Sequence, residues 1–315
     1  MALLLLASTP MAQAQQAARS TKSITLVVPY GAGGSTDILA RVMAQHLPTV
    51  SGQAAIVENR TGGGGLVGWD SVARATPDGN TVLTNEISFP ISAALLPSMP
   101  FDPKTAFSHL TIAASVPHVL VVHPSLPVSN LREFVAYAKA NPGKLNYGSG
   151  GNGSPQHIAM ALFALQAGIQ LTHVPYKGAT QAAVGTAADE VQTCLQGIAT
   201  VSPLVKAGKL RIVGIPAPKR LPQFADIPTV SESGLPGYEM NSWFAVMAPT
   251  GTPKAVIDKY QSEVVKALAD AGVREQFASQ GLTPLGTTPS ELAVLLKAQL
   301  NRYGKLIREA GITAG

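Results

Sequence analysis

Through most of the chain, short apolar runs alternate with stretches whose apolar residues recur every three or four positions. Residues 24–29 (ITLVVP) read as a buried strand, and 35–47 as a helix with Ile38, Leu39, Val42 and Met43 on one face. Strands over 54–58 and 80–84 flank a helix over 66–75, which Thr76-Pro77-Asp78-Gly79 stops. Further strands are expected at 110–114 and 118–123. After His123-Pro124 the alternation begins again, with a helix over 130–140 and a strand at 145–148. Residues 155–167 form a helix with Ser154 as N-cap, Pro155 at its first position and Gly168 past its end. Strands at 170–174, 191–195 and 210–215 are separated by helices over 179–188 and 198–207. A Pro/Gly-rich stretch, 216–237, leads to a strand at 243–248 and two long closing helices, opened by Thr252-Pro253 and Thr288-Pro289. The second carries a capping box, Thr288 with Glu291. This pattern predicts an α/β protein of parallel sheets covered by helices.

Two such units fit a chain of 315 residues. Residues 22–123, with a returning segment 237–315, form one lobe, and 124–236 the other. A cleft between them is expected, with ligands at the carboxyl ends of strands and against helix N-termini. Before the first strand, the apolar run 2–7 (ALLLLA) and the small-x-small pattern Ala12-Gln13-Ala14 read as a signal peptide, residues 1–14, cleaved near Ala14. The mature protein is then expected in an extracytoplasmic compartment.

Composition removes several classes of function. Only 13% of residues are charged, and the net charge of +5 comes from scattered Lys and Arg rather than a basic face. With aromatics at 5%, nucleic acid is not an expected partner. The single cysteine, Cys194, excludes an internal disulfide framework. No HExxH, GxSxG or GxxxxGK[ST] motif occurs, and no histidine pair has metal-ligand spacing, so no metal, cofactor or catalytic residue is expected.

Three glycine-rich turns remain. The first, 29–37 (PYGAGGSTD), joins a strand to a helix. Its Gly31-x-Gly33 echoes a dinucleotide fingerprint, but Thr36 holds the third glycine position and Pro29-Tyr30 is bulky. What survives is an anion nest of backbone N–H groups, centred on Gly33 and Gly34, at a helix N-terminus. Asp37 either complements that helix end or receives a donor from a ligand. The second turn, 147–157 (YGSGGNGSPQH), has the same design, with Ser149 and Ser154 as hydroxyl donors; His157 is either a ligand contact or a first-turn polar residue. The third, 60–66 (RTGGGGL), has no hydroxyl cluster after it and reads as a structural turn rather than a nest. One nest in each lobe suits a ligand with two separated carboxylates.

Together these segments resemble the Bug receptors, the substrate-binding proteins of tripartite tricarboxylate transporters. The matching stretches include VVPYGAGGSTDILAR (27–41), VENRTGGGGLVG (57–68), ATPDGNTVL (75–83), AKANPGKLNYGSGGNGSPQH (138–157), HVPYKG (173–178), IPTVSESGLPGYE (227–239) and APTGTP (248–253), in family order across nearly the whole mature chain. The resemblance implies a two-lobed, Venus-flytrap periplasmic binding protein of type II character. It implies a small-molecule carboxylate as ligand, membrane permease subunits as partners, and a monomer. Carried over by motif, the ligand contacts are Tyr30, Gly33, Gly34, Thr36 and Asp37, then Ser149, Ser154 and His157, with Tyr176 and Ser88. Residues 84–94 (TNEISFPISAA) depart from the family's small polar pattern, which makes Glu86 and Phe89 candidates to reshape the pocket. The competing reading is an exported α/β enzyme acting on a carboxylated or phosphorylated molecule, with His157 or Asp37 as base. No nucleophile accompanies either residue.

Overall fold

The computed structural model describes residues 22–96 and 98–309, so the expected signal peptide lies outside the described residues. Among the described residues, eleven strands form two sheets. The first half of the chain runs β1 (Ile24–Val28), α1 (Ser35–Ser51), β2 (Ala55–Asn59), α2 (Leu66–Ala73), β3 (Thr81–Glu86), α3 (Ser88–Leu95) and β4 (Phe107–Val116). The middle runs β5 (His118–Val122), α4 (Leu131–Ala140), β6 (Leu145–Ser149), α5 (Pro155–Ala167), β7 (Leu171–Pro175), α6 (Ala179–Ala187), β8 (Thr193–Gly197), α7 (Ile198–Lys206) and β9 (Arg211–Gly214). The chain ends with β10 (Ser242–Pro249), α8 (Lys254–Ala269), α9 (Ala271–Ser279), β11 (Thr283–Pro284) and α10 (Pro289–Glu309). No described helix is long and apolar enough to cross a membrane.

The first sheet has the order β11-β4-β10-β3-β1-β2 and the second β7-β6-β8-β5-β9. Neither is purely parallel as the alternating pattern predicts. β1 pairs in parallel with β2 and β3, but β10 runs antiparallel to both β3 and β4. In the second sheet β6 is parallel to β7 and β8, while β5 is antiparallel to β8 and β9. The reversed strands are those that carry the chain between sheets. β4 and β5 are separated by Pro117 alone, so the first crossing falls there and β5 belongs to the second sheet. The expected boundary at His123 lies one strand too late. The return crossing occupies 215–241.

Every residue of β5 and β10 is buried, because helices cover both faces of each sheet. The first lobe packs Leu26, Val28, Leu39, Met43 and Phe244 in one cluster, and the second packs Val119, Val121, Val201 and Ile212 in another. Cys194 is free and fully buried in the latter. Local signals act as expected at several ends. Ser154 Oγ accepts from the His157 N–H, and Thr288 and Glu291 form their reciprocal capping box. Helix α1 runs past its expected end at Leu47, because Pro48 fits the last turn and Gly52, in the left-handed region, returns its N–H to the Pro48 carbonyl. The 84–94 stretch is the largest departure. β3 extends through Glu86 and α3 follows at once, its Phe89 buried against Trp69 and Phe107 rather than in the cleft.

Candidate functional site

Parallel neighbours put their following loops at one sheet edge, so the loops after β1, β2 and β3 converge. The loop after β6 faces them from the second lobe. Between them lies a cavity of about 570 Å³, lined on one side by Tyr30, Gly31, the turn Thr61 to Gly65, Glu86 and Ser88, and on the other by Gly150, Asn152, Gly153 and Ser154. A smaller cavity of about 220 Å³ adjoins it and shares Glu86 and Pro155; Ser35, His118, Gln156 and Gln196 are among its walls. Among the described residues that line either cavity there is no Lys or Arg, and Glu86 is the only carboxylate. Among the described residues no His, Cys, Asp and Glu group is placed to hold a metal ion.

The first loop is held from behind. Gly33, at φ 86°, turns its N–H onto Asp37 Oδ2 at 2.8 Å; Gly34 has ordinary extended geometry and caps α1 through its carbonyl. Asp37 also accepts from Arg41 Nε at 2.8 Å and from Asn59 Nδ2 at 2.9 Å, and its side chain is only 2% exposed. Burial pushes the Asp37 carboxyl up, but the hydrogen bonds from Arg41, Gly33 and Asn59 outweigh it and hold the group below the usual carboxylate range. Asn59 Nδ2 additionally donates to the Tyr30 carbonyl at 3.0 Å. Asp37 is therefore the pin of the loop and not part of the cavity wall. Gly33 and Gly34 are exposed and do not line the cavity; Tyr30 and Gly31 do.

Tyr30 sets its ring edge-on to Trp69, and its hydroxyl is buried without a hydrogen-bond partner. Burial first, and the Glu86 charge second, push the Tyr30 phenol far up, so it stays a neutral donor. Glu86 sits at the carboxyl end of β3. Thr36 Oγ1 donates to its Oε2 at 3.2 Å and Ser88 Oγ to its Oε1. Burial pushes the Glu86 carboxyl up against those two hydrogen bonds. Thus Ser88 lines the cavity, and Thr36 reaches it through Glu86.

In the second lobe Ser154 lines the cavity while capping α5. Ser149 is fully buried; its Oγ accepts from the Gly151 N–H at 3.1 Å and lies 2.6 Å from His173 Nε2. His157 Nδ1 accepts from the Gly153 N–H at 3.0 Å, and its ring stacks on His173 with centroids 3.9 Å apart. Burial lowers both imidazoles, His173 to about 4 with His157 adding to the effect. These neutral rings shape the glycine loop from beneath. Tyr176 donates to Glu190 Oε2 at 2.9 Å and packs over Gly148, away from the cavity. Of the ten carried-over residues, Tyr30, Ser88 and Ser154 form the wall, Thr36 orients Glu86, and Gly33, Gly34, Asp37, Ser149, His157 and Tyr176 support the loops.

Two wall elements contribute more to the cavity than the sequence pattern indicates. The third turn, 61–65, lines the cavity as fully as the first; its position after β2, beside β1, was the available signal. Glu86 was noted, and its place at the end of a strand adjoining β1 puts it at the centre of the cleft.

Comparison with known proteins agrees with this fold. The model of the tripartite tricarboxylate transporter family receptor matches residues 39–312. BugT of Bordetella pertussis is 34% identical over 92% of this chain and 90% of its own length. The structure of Rpa4515 from R. palustris with adipate superposes at a TM-score of 0.79, with 33% identity over 93% of this chain and 98% of that one. MatC from Rhodopseudomonas palustris with bound malate gives 0.76, with 29% identity over 91% and 99%. With two helix-flanked sheets, loops facing across a cleft and a family match over most of its length, the chain belongs to the tripartite tricarboxylate transporter receptors, a family of periplasmic solute-binding receptors that includes the Bug proteins.

Proposed function

We propose that this protein captures a small organic carboxylate between its lobes and hands it to the membrane permease subunits of a tripartite transporter. The observation that carries this reading is the cleft wall itself: glycine turns from both lobes meet across one cavity that no Lys or Arg lines. A carboxylate there is held by backbone N–H groups and hydroxyls at helix ends rather than by a counter-ion. The working contacts are Tyr30, Gly31, the 61–65 turn and Ser154, with Ser88 acting through Glu86. The lobes comprise 22–116 with 242–309, and 118–214, hinged at Pro117 and along 215–241. Adipate and malate in the related structures support an aliphatic acid as ligand.

A thermal-shift screen of aliphatic and aromatic acids tests the reading, since a ligand at 100 times its Kd adds about 2.7 kcal/mol of stability. At least one acid should raise the melting temperature and titrate calorimetrically at one site. If none does, the receptor reading fails.

A further inference from the structure

We propose that Glu86 sets the ligand specificity of this receptor, and that the acid it takes carries a cationic ammonium group between or beside its carboxylates. The inference rests on the carboxylate-receptor reading above and names the ligand within that class.

The position of Glu86 comes first. It borders both cavities, so a ligand extending from one to the other passes it. Its carboxylate is built in rather than loose: Thr36 Oγ1 holds Oε2 at 3.2 Å and Ser88 Oγ holds Oε1. Each hydroxyl has a single hydrogen, and both are spent on Glu86. The carboxylate keeps unused lone pairs as acceptors, on a residue that lines both cavities.

The charge balance points the same way. Beside the Glu86 carboxylate, the titratable groups of the cleft wall are Tyr30 from the first loop and His118 from β5. His118 is buried, contacts the Val116 carbonyl through Nδ1 and is lowered to about 4, so it supplies no cation. Burial already works against the Glu86 charge, so an acid with only carboxylates would meet it either as like charge or after Glu86 takes up a proton, in a site that holds nothing to neutralise it. An ammonium group on the ligand supplies both the missing cation and the N–H donors that an acceptor-only carboxylate needs.

The smaller cavity accounts for the far end of such a ligand. Gln196 is fully buried, lines this cavity, and has no hydrogen-bond partner for either its amide nitrogen or its amide oxygen. A buried amide left unpaired on both atoms is costly unless a bound molecule satisfies it. A carboxylate reaching past Glu86 takes the Gln196 N–H, while the ammonium group stays beside Glu86.

Matched acids test this directly. Succinate, glutarate and adipate are each titrated calorimetrically against the wild-type protein beside their 2-amino and 2-hydroxy derivatives. Within each binding skeleton the 2-amino acid should bind at least about tenfold more tightly than the unsubstituted diacid, the scale of a charge-assisted hydrogen bond, with the 2-hydroxy acid between them. Glu86→Gln should erase that preference and improve the unsubstituted diacid. The wild-type ranking decides even if this variant folds poorly. Equal or tighter binding of the unsubstituted acid overturns the inference, because it requires Glu86 to act as a protonated donor; a 2-hydroxy acid ranked first overturns it as well. An amino preference that survives in folded Glu86→Gln moves the determinant elsewhere and also overturns it. If no acid in the set binds, the inference falls, and the wider acid screen then shows whether the receptor reading falls with it.

Discussion

At the residue scale, Asp37 shows how a carboxylate in an anion-binding loop can serve the protein rather than the ligand. A charge inside the nest would oppose an incoming carboxylate, but here it is spent on Gly33, Arg41 and Asn59. Because the folded group titrates below the usual carboxylate range, its contribution to stability is complete above that range and is lost as pH falls through the folded pKa. Asp37→Asn should therefore lower stability by about 1–3 kcal/mol at neutral pH and flatten the acid limb of the stability profile, both read by denaturant titration across pH. Ligand affinity should hold. A loss of affinity as large as that of Ser154→Ala would place Asp37 in contact with the ligand instead. Ser154 lies on the wall and caps α5, so its alanine variant should lose both binding and about 1 kcal/mol of stability.

At the element scale, the turn at 61–65 takes its form from α2 behind it. Trp69 is fully buried and donates from Nε1 to Asn85 Oδ1 at 3.0 Å, which ties α2 to β3. Gly65 lies over that ring at φ 111°, and a Cβ there would stand 2.6 Å from Trp69 Cζ2. Gly65→Ala should cost about 1–3 kcal/mol through backbone strain and overpacking, and should weaken ligand binding because the cavity wall shifts. Normal stability and normal affinity in that variant would show that the turn is neither tight nor part of the wall. Elements defined by neighbours in the chain were legible in the sequence: the Ser154–Pro155–Gly168 frame of α5, the strand at β1, the capping box of α10. What the sequence did not reveal depends on distant partners. The antiparallel entry of β10 between β3 and β4 joins the third and fourth strands to a segment far along the chain. The site followed the same rule. The first and second glycine turns stood out because hydroxyls follow them, whereas the third turn becomes a wall only once β2 pairs with β1. Phe89 was misjudged because its aromatic partners, Trp69 and Phe107, lie outside its own stretch.

For the whole molecule, the crossing at Pro117 is short, and its carbonyl accepts the Ile198 N–H at the start of α7. Movement about that point swings α7 toward or away from the first lobe. The lobes also meet nearby, where Gly281, just after α9, lies so close to Ala199 that a Cβ on the glycine would stand 2.5 Å from the alanine methyl. If the lobes close on a ligand, that contact should act as the stop, since small residues face each other there. Ligand binding should bring the lobes together as hinge closure around a solute does, and small-angle scattering should record a smaller radius of gyration with the bound acid. Ala199 is exposed, so Ala199→Leu adds bulk at the stop without emptying a core. The leucine variant should melt close to wild type, compact less at saturating ligand, and release the acid faster. Compaction equal to wild type would show that closure ends at another contact. An unchanged radius in the saturated wild-type protein would mean a rigid cleft, and the hinge at Pro117 would then have no part in binding.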